Sequence, residues 1–122
     1  GRGRLVGKKN TADEFIFSKD NQFGTKKADQ ITRFSRNEGD TIQLNPNSFA
    51  GIKKRHFKTT NTLQKFNREL ERKSNIIYFE PTGELYFDQN GRKAGFGDPN
   101  ESGLFAILKG APDLNPTDIG LI

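Results

Sequence analysis

Asn75-Ile76-Ile77-Tyr78-Phe79-Glu80, Pro81-Thr82-Gly83 and Glu84-Leu85-Tyr86-Phe87-Asp88 decide the fold class. Two runs rich in β-branched and aromatic residues flank a Pro-Thr-Gly turn, which predicts a β-hairpin near residues 75–88. Period-two alternation puts Ile77 and Phe79 on one face, paired with a face made by Leu85 and Phe87. Tyr78 and Tyr86 then fall together on the opposite face.

On the N-terminal side of the hairpin, the stretch from Phe57 to Ser74 predicts one amphipathic helix near 62–73. Asn61 or Thr62 supplies the N-cap. Leu63, Phe66 and Leu70 make a narrow apolar stripe, with Lys65, Arg68, Glu69, Arg72 and Lys73 on the wet face. Further upstream, Asp13-Glu14-Phe15-Ile16-Phe17 and Thr41-Ile42-Gln43-Leu44 alternate as half-buried strands. Asp29-Gln30-Ile31-Thr32-Arg33-Phe34 is a weaker strand, because Ile31 and Phe34 do not strictly alternate. Arg36-Asn37-Glu38-Gly39-Asp40 is turn-like. On the C-terminal side lie a polar, Gly-rich loop from Asp88 to Gly103 and a buried strand, Leu104-Phe105-Ala106-Ile107-Leu108. A capped single turn follows at Asn115-Pro116-Thr117-Asp118, and then an apolar tail. Phe15, Phe17, Ile42, Leu44, Phe79, Phe87 and Phe105 are the expected core.

The chain has 122 residues, enough for one domain and one core. Residues 1–12, Gly- and charge-rich, read as a linker or the remnant of an upstream repeat, and 13–122 as a single domain. Phe occurs 11 times against 2 Tyr and no Trp, so Phe side chains must organise a core in a chain only 31% hydrophobic. There is no Cys and no Met, which excludes a disulfide framework and a thiolate metal site. Gly1, standing where a Met would start a chain, is expected to be a boundary within a longer polypeptide. No apolar run has the length of a membrane span, so no membrane insertion is expected.

The ordered series Ala12-Asp13-Glu14-Phe15-Ile16-Phe17, Ala28-Asp29-Gln30-Ile31-Thr32-Arg33-Phe34, Glu38-Gly39-Asp40-Thr41-Ile42-Gln43-Leu44, the tyrosine hairpin, Ala106-Ile107-Leu108-Lys109-Gly110 and Asn115-Pro116-Thr117-Asp118-Ile119 resembles the C-terminal region of RTX-type bacterial proteins. These are the serralysin-like, hemolysin-type calcium-binding proteins exported by type I systems. Within that group the chain is similar to the cyanobacterial bluetail domain. The resemblance covers residues 12–122. It implies a mainly β fold, β-roll or sandwich-like, in a non-catalytic C-terminal accessory domain, monomeric, secreted or at the cell surface. The domain would cap the upstream domains of the same polypeptide. It also implies a secretion signal, read by the type I export machinery, at Asp118-Ile119-Gly120-Leu121-Ile122. The same five residues suit a last edge strand closing the core, and the two roles are compatible. The series departs from the family in its first residues. Gly1-Arg2-Gly3-Arg4-Leu5-Val6-Gly7 looks like a decayed glycine-rich repeat, with Lys8 and Lys9 where glycines and acidic ligands belong.

No cofactor is required by these residues, and calcium is the one candidate. Asp88, Asn90, Asp98 and Glu101 offer hard oxygen ligands in the long loop, although Arg92 and Lys93 intrude and Asx turns account for the same residues. The formal net charge is +5. Lys53, Lys54, Arg55, Lys65, Arg68, Arg72 and Lys73 concentrate it in the middle of the chain, either as a solvated face or as a surface for anionic polymer. Interleaved exposed aromatics are lacking there, so nucleic acid is the less expected ligand. Catalysis is not expected. His56 is the one histidine and sits in a basic stretch, and Glu80, Glu84 and Asp88 lie along a hairpin with no apolar pocket to shift them.

Overall fold

Alternation at Phe15/Phe17 and Ile42/Leu44 turns one side of each strand inward, and those four side chains are buried. The computed structural model describes residues 4–7, 12–17, 28–47, 49, 57–70, 75–88 and 103–121. In chain order they form β1 (Arg4–Val6), β2 (Glu14–Phe17), β3 (Asp29–Thr32), β4 (Thr41–Leu44), β5 (Phe57–Thr60), α1 (Leu63–Glu69), β6 (Ile76–Phe79), β7 (Glu84–Phe87), β8 (Gly103–Leu108) and β9 (Ile119–Leu121). Single 3-10 turns, Arg36–Glu38 and Pro116–Asp118, precede β4 and β9. The protein is mainly β, as its sequence predicts.

Strand order is β1-β3-β8-β7-β6-β5 in one sheet and β2-β4-β9 in the other. β1, β3 and β8 are mutually parallel neighbours, and so are β2, β4 and β9. The chain therefore alternates between the sheets in three coils: β1 then β2, β3 then β4, β8 then β9. Arg4 stands opposite Gln30 and Glu14 opposite Thr41, so a circuit takes 26 or 27 residues. Between the second and third coils the chain inserts β5, α1, β6 and β7. β6 and β7 form the expected hairpin, β7 lies antiparallel to β8, and β5 lies parallel to β6.

Among the described residues one apolar cluster fills the space between the sheets. Phe105 is its junction: its ring meets Phe17 at 5.3 Å and Phe49 at 4.9 Å, and Phe49 in turn meets Phe87 at 5.3 Å, all edge-on. Such edge contacts add about 0.5–1.5 kcal/mol to area burial. An irregularity in the β7–β8 ladder makes this possible. Leu85 opposes Ala106 and Tyr86 opposes Leu104, so Phe105 is an extra residue and joins Ala106 in the core. The far face of the larger sheet carries α1. Phe66, its one buried residue, packs against Phe79 and Tyr86 at 5.5 and 4.8 Å.

Four expectations change in the structure. First, Phe79 pairs with Glu84 and Tyr78 with Leu85, because residues 80–83 make a four-residue connection. A one-residue difference in register exchanges the faces of one strand relative to the other. Tyr78 therefore lies in the inter-sheet core with Leu85 and Phe87, while Phe79 is half-buried on the helix side with Tyr86. Gly83 closes the connection at φ 73°, and a Cβ there would collide with the Leu108 carbonyl. Secondly, α1 is described as helix from Leu63 to Glu69, and the apolar stripe shrinks to Phe66 with half-buried Leu70. Leu63 is 65% exposed. Residues 71–74 lie outside those described. Thirdly, Phe57–Thr60, read as a lead-in to the helix, is the edge strand β5. Fourthly, Arg4–Val6 pairs with β3 and so belongs to the first coil.

Candidate functional site: the coil corner and the tail strand

The turn leading into β4 is built by Ser35-Arg36-Asn37-Glu38-Gly39-Asp40. Gly39 takes φ 84°, which glycine adopts without strain, and donates its N–H to the Arg36 carbonyl at 3.1 Å. That reversal returns Asp40 beside Ser35, whose N–H donates to Asp40 Oδ2 at 2.8 Å. Asp40 Oδ1 accepts the N–H of Asp13, in the first coil, also at 2.8 Å. Asp40 is buried, and its carboxylate fastens two coils through backbone donors.

The equivalent corner of the third coil is Asn115-Pro116-Thr117-Asp118. Pro116 stands at the first helical position, where its missing N–H is harmless. Asp118 Oδ2 accepts the Asn115 N–H at 2.9 Å and the Arg36 Nε at 2.9 Å. Arg36 thus reaches from the second coil to the third, and the ion pair is half-shielded, with Arg36 at the wet rim and Asp118 largely enclosed. Beside the second coil's corner is an open cleft of about 260 Å³, lined by Phe34, Ser35, Arg36, Asn37, Pro112 and Asp113. Its Pro112 wall is anchored from within: the Tyr78 hydroxyl donates to the Pro112 carbonyl at 2.6 Å. Burial, then the nearby carboxylates of Glu80 and Asp113, push the Tyr78 hydroxyl up to about 12. Burial and the Glu84 carboxylate also raise Tyr86.

Of the expected tail signal, Asp118 and Ile119 are buried, Gly120 is half-buried and Leu121 is exposed at the end of β9. The tail is folded as the last strand beside β4, with Ile119 opposite Ile42 and Leu121 opposite Leu44. Gly120 lies under Gln43, whose side-chain amide occupies the position of a Cβ. Ile122 lies outside the described residues. Of the expected calcium ligands, Asp88 is fully buried, with its N–H donating to the Asn75 carbonyl and its carbonyl accepting from Asn75 Nδ2. Asn90, Asp98 and Glu101 lie outside the described residues, so the set is not brought together here. Among the described residues no three acidic or imidazole side chains converge as metal ligands.

Lys65 and Arg68 are exposed on α1, as expected, and Lys58 is exposed on β5. Lys53, Lys54, Arg55, Arg72 and Lys73, like His56, lie outside the described residues. Sequence reading takes Arg36 and Asp40 for turn residues and so misses the corner. A signal for it is present: an aspartate one or two residues ahead of the first inward side chain recurs as Asp13 before Phe15, Asp40 before Ile42 and Asp118 before Ile119. No helix among the described residues is long and apolar enough to cross a membrane. Compared with known protein families, curated proteins and solved structures, the chain matches none.

Proposed function

We propose that this chain is a non-catalytic accessory module that caps a stack of parallel β-coils in a larger secreted or cell-surface bacterial protein of the RTX type. The observation carrying this reading is the difference between the two ends of the roll. At the first coil, β1 and β2 end their sheets together, both as parallel strands, and no described strand pairs with their outer edges. Two parallel edges on one coil can accept another coil, as in repeat folds whose units contact their neighbours. At the other end β7 runs antiparallel to β8, and β6 and β5 extend one sheet without the other. That reversal stops the coil pattern, which is what a terminal unit requires.

Hydrogen exchange tests the cap. In the parent polypeptide, the outward amides of β1 and β2 exchange more slowly than in this chain alone. Equal exchange in both rejects the stacking. The module requires no cofactor, and calcium is to be sought in the 88–101 loop by titration followed through the amide shifts of that loop.

The tail supplies the export part of the proposal. Asp118 to Ile122 would be read by the type I machinery while unfolded, and Ile119–Leu121 would pair with β4 afterwards. A reporter fused to this module in a cell with such an exporter should leave the cytoplasm, and loss of residues 118–122 should abolish that. Unchanged export after the deletion removes the signal.

A second reading is a surface for anionic polymer, favoured by the joint exposure of Lys58, Lys65 and Arg68 on β5 and α1. Binding of that kind weakens steeply with salt. Failure to bind a heparin resin at low ionic strength rejects it.

A further inference from the structure

The cleft beside the second coil's corner has two walls, Phe34-Ser35-Arg36-Asn37 after β3 and Pro112-Asp113 after β8. Each wall starts directly after a non-glycine residue held at positive φ, Arg33 at 66° and Ala111 at 48°. Left-handed backbone is unfavourable for such residues, and residues so strained cluster at active sites and ligand clamps. The walls are also fixed from behind. Asp40 Oδ2 accepts the Ser35 N–H, and the Pro112 carbonyl accepts from the Tyr78 hydroxyl. The Lys109 N–H, donated to the Ile31 carbonyl at 2.9 Å, ties the end of β8 to β3. A cleft braced in this way needs little ordering when a ligand fills it.

The polar groups of the cleft select its ligand. Asp118 engages Nε of Arg36, and no other described residue bonds the guanidinium, so its two terminal nitrogens remain available at the wet rim. Paired planar N–H donors match a carboxylate. Among the described residues none bonds the side chains of Ser35, Asn37 or Asp113. The Asp113 carboxylate only accepts, and it repels an ion that is negative all round, such as sulfate or phosphate. Hydroxyl groups satisfy it, and Ser35 and Asn37 both donate and accept. At about 260 Å³ the cleft lies just below the roughly 300 Å³ at which small-molecule pockets begin, which suits one ring. We infer that this cleft is a subsite for a sugar acid, with the carboxylate on Arg36 and the ring hydroxyls on Asp113, Asn37 and Ser35. Its open side lets that ring be free or one unit of an acidic saccharide. The inference stands whether or not the module caps an upstream stack, and it does not use the cations of β5 and α1.

The test follows the amide resonances of the full chain as galacturonate, trigalacturonate, galactose or glycine is added, up to tens of millimolar. Arg36 also holds Asp118, so the carboxylate is varied in the ligand and not in the protein. Both acids should shift the amides of Phe34 to Asn37 and of Asp113 saturably, while galactose and glycine leave them in place. Tighter binding of the trimer marks a polymer subsite, and equal binding marks a free sugar acid. Asn37→Ala and Asp113→Ala alter exposed side chains, keep the fold, and should each weaken the acids roughly fivefold or more. Resonances of β6 and β7 that stay in place verify the fold of each variant. No shift with either acid overturns the inference, as does an equal shift with galactose or glycine. Acid-induced shifts confined to Lys58, Lys65 and Arg68 overturn it too, and so do folded variants that bind as well as the unaltered chain.

Discussion

The three-coil roll and the inserted β5–α1–β6–β7 unit make sheet in opposite ways. In the roll, neighbouring strands are parallel, and the partners Gln30 and Ile107 are separated by most of the chain. Its coils are fastened at corners, by Asp40 to Asp13 and by Arg36 to Asp118. In the insertion, β6 and β7 are antiparallel neighbours joined by four residues, and the helix that covers them is adjacent in sequence. Parallel strands need long crossings whose own backbone polar groups must be satisfied, whereas a hairpin closes with one tight turn. The difference teaches that buried polar groups carry the specificity of the roll, while a glycine and a set of aromatic contacts carry that of the insertion.

Phe105→Ala gives the largest effect. Phe105 touches Phe17 of the roll and Phe49, which in turn touches Phe87 of the insertion. The loss is about 3–5 kcal/mol. In urea, fluorescence of the tyrosines and the far-ultraviolet signal should fall together at a lower midpoint. Two separated transitions would mean that the regions are independently cooperative.

Asp40→Ala comes next and should divide the regions. It leaves the N–H groups of Asp13 and Ser35 without their acceptor at a corner where Asp40 is itself buried. Each such loss costs roughly 1–3 kcal/mol. Hydrogen exchange should accelerate in β1 and β2 and change little in β6 and β7. Uniform acceleration would contradict the division.

Tyr78→Phe removes a hydroxyl that ties the insertion to the roll at Pro112. The expected cost is about 1 kcal/mol. The same hydroxyl gives a pH signature. It titrates at 10.0 when unfolded and near 12 in the native protein, so its contribution is complete below pH 10. Between those values the unfolded state releases the proton first, and stability falls as pH rises. Denaturation midpoints followed from pH 9 upward should decline less steeply in the Phe variant. The smallest effect belongs to Leu63→Ser. Leu63 is exposed on α1, and the change should stay within about 0.5 kcal/mol by thermal melting.

The readable parts of this sequence are those whose side chains alternate against one core. Phe15/Phe17 and Ile42/Leu44 announce β2 and β4, and the aromatic runs announce the hairpin. Pairing was not legible, because a parallel partner is chosen by packing across the whole domain and leaves no local mark. Phe57-Lys58-Thr59-Thr60 has one large apolar residue and a basic approach, so β5 was hidden. The hairpin register turned on Glu80, which continues from β6 to donate its N–H to Thr60 and so leaves the strand pairing with β7. The corner was hidden for another reason. Asp40 and Asp118 look like ordinary turn aspartates until the fold sets their turns on neighbouring strands. Of the expected sites, Lys65, Arg68, Asp88 and residues 118–121 fall within the described residues; the exposure of the two cations and the tail's edge strand were legible, whereas the burial of Asp88 does not follow from local sequence.

The position of β8 has a consequence for the order of events in folding. It is the strand on which both regions meet, antiparallel to β7 on one edge and parallel to β3 on the other. The β7–β8 pairing closes the loop of residues 88–102, whereas the β3–β8 pairing, such as Asp29 with Ala106, must close a loop of more than seventy residues, so the former can form first. A hairpin already formed carries β8 into place and shortens that search. The insertion would then act as a template in time as well as a cover in space, and β9 would register against β4 last.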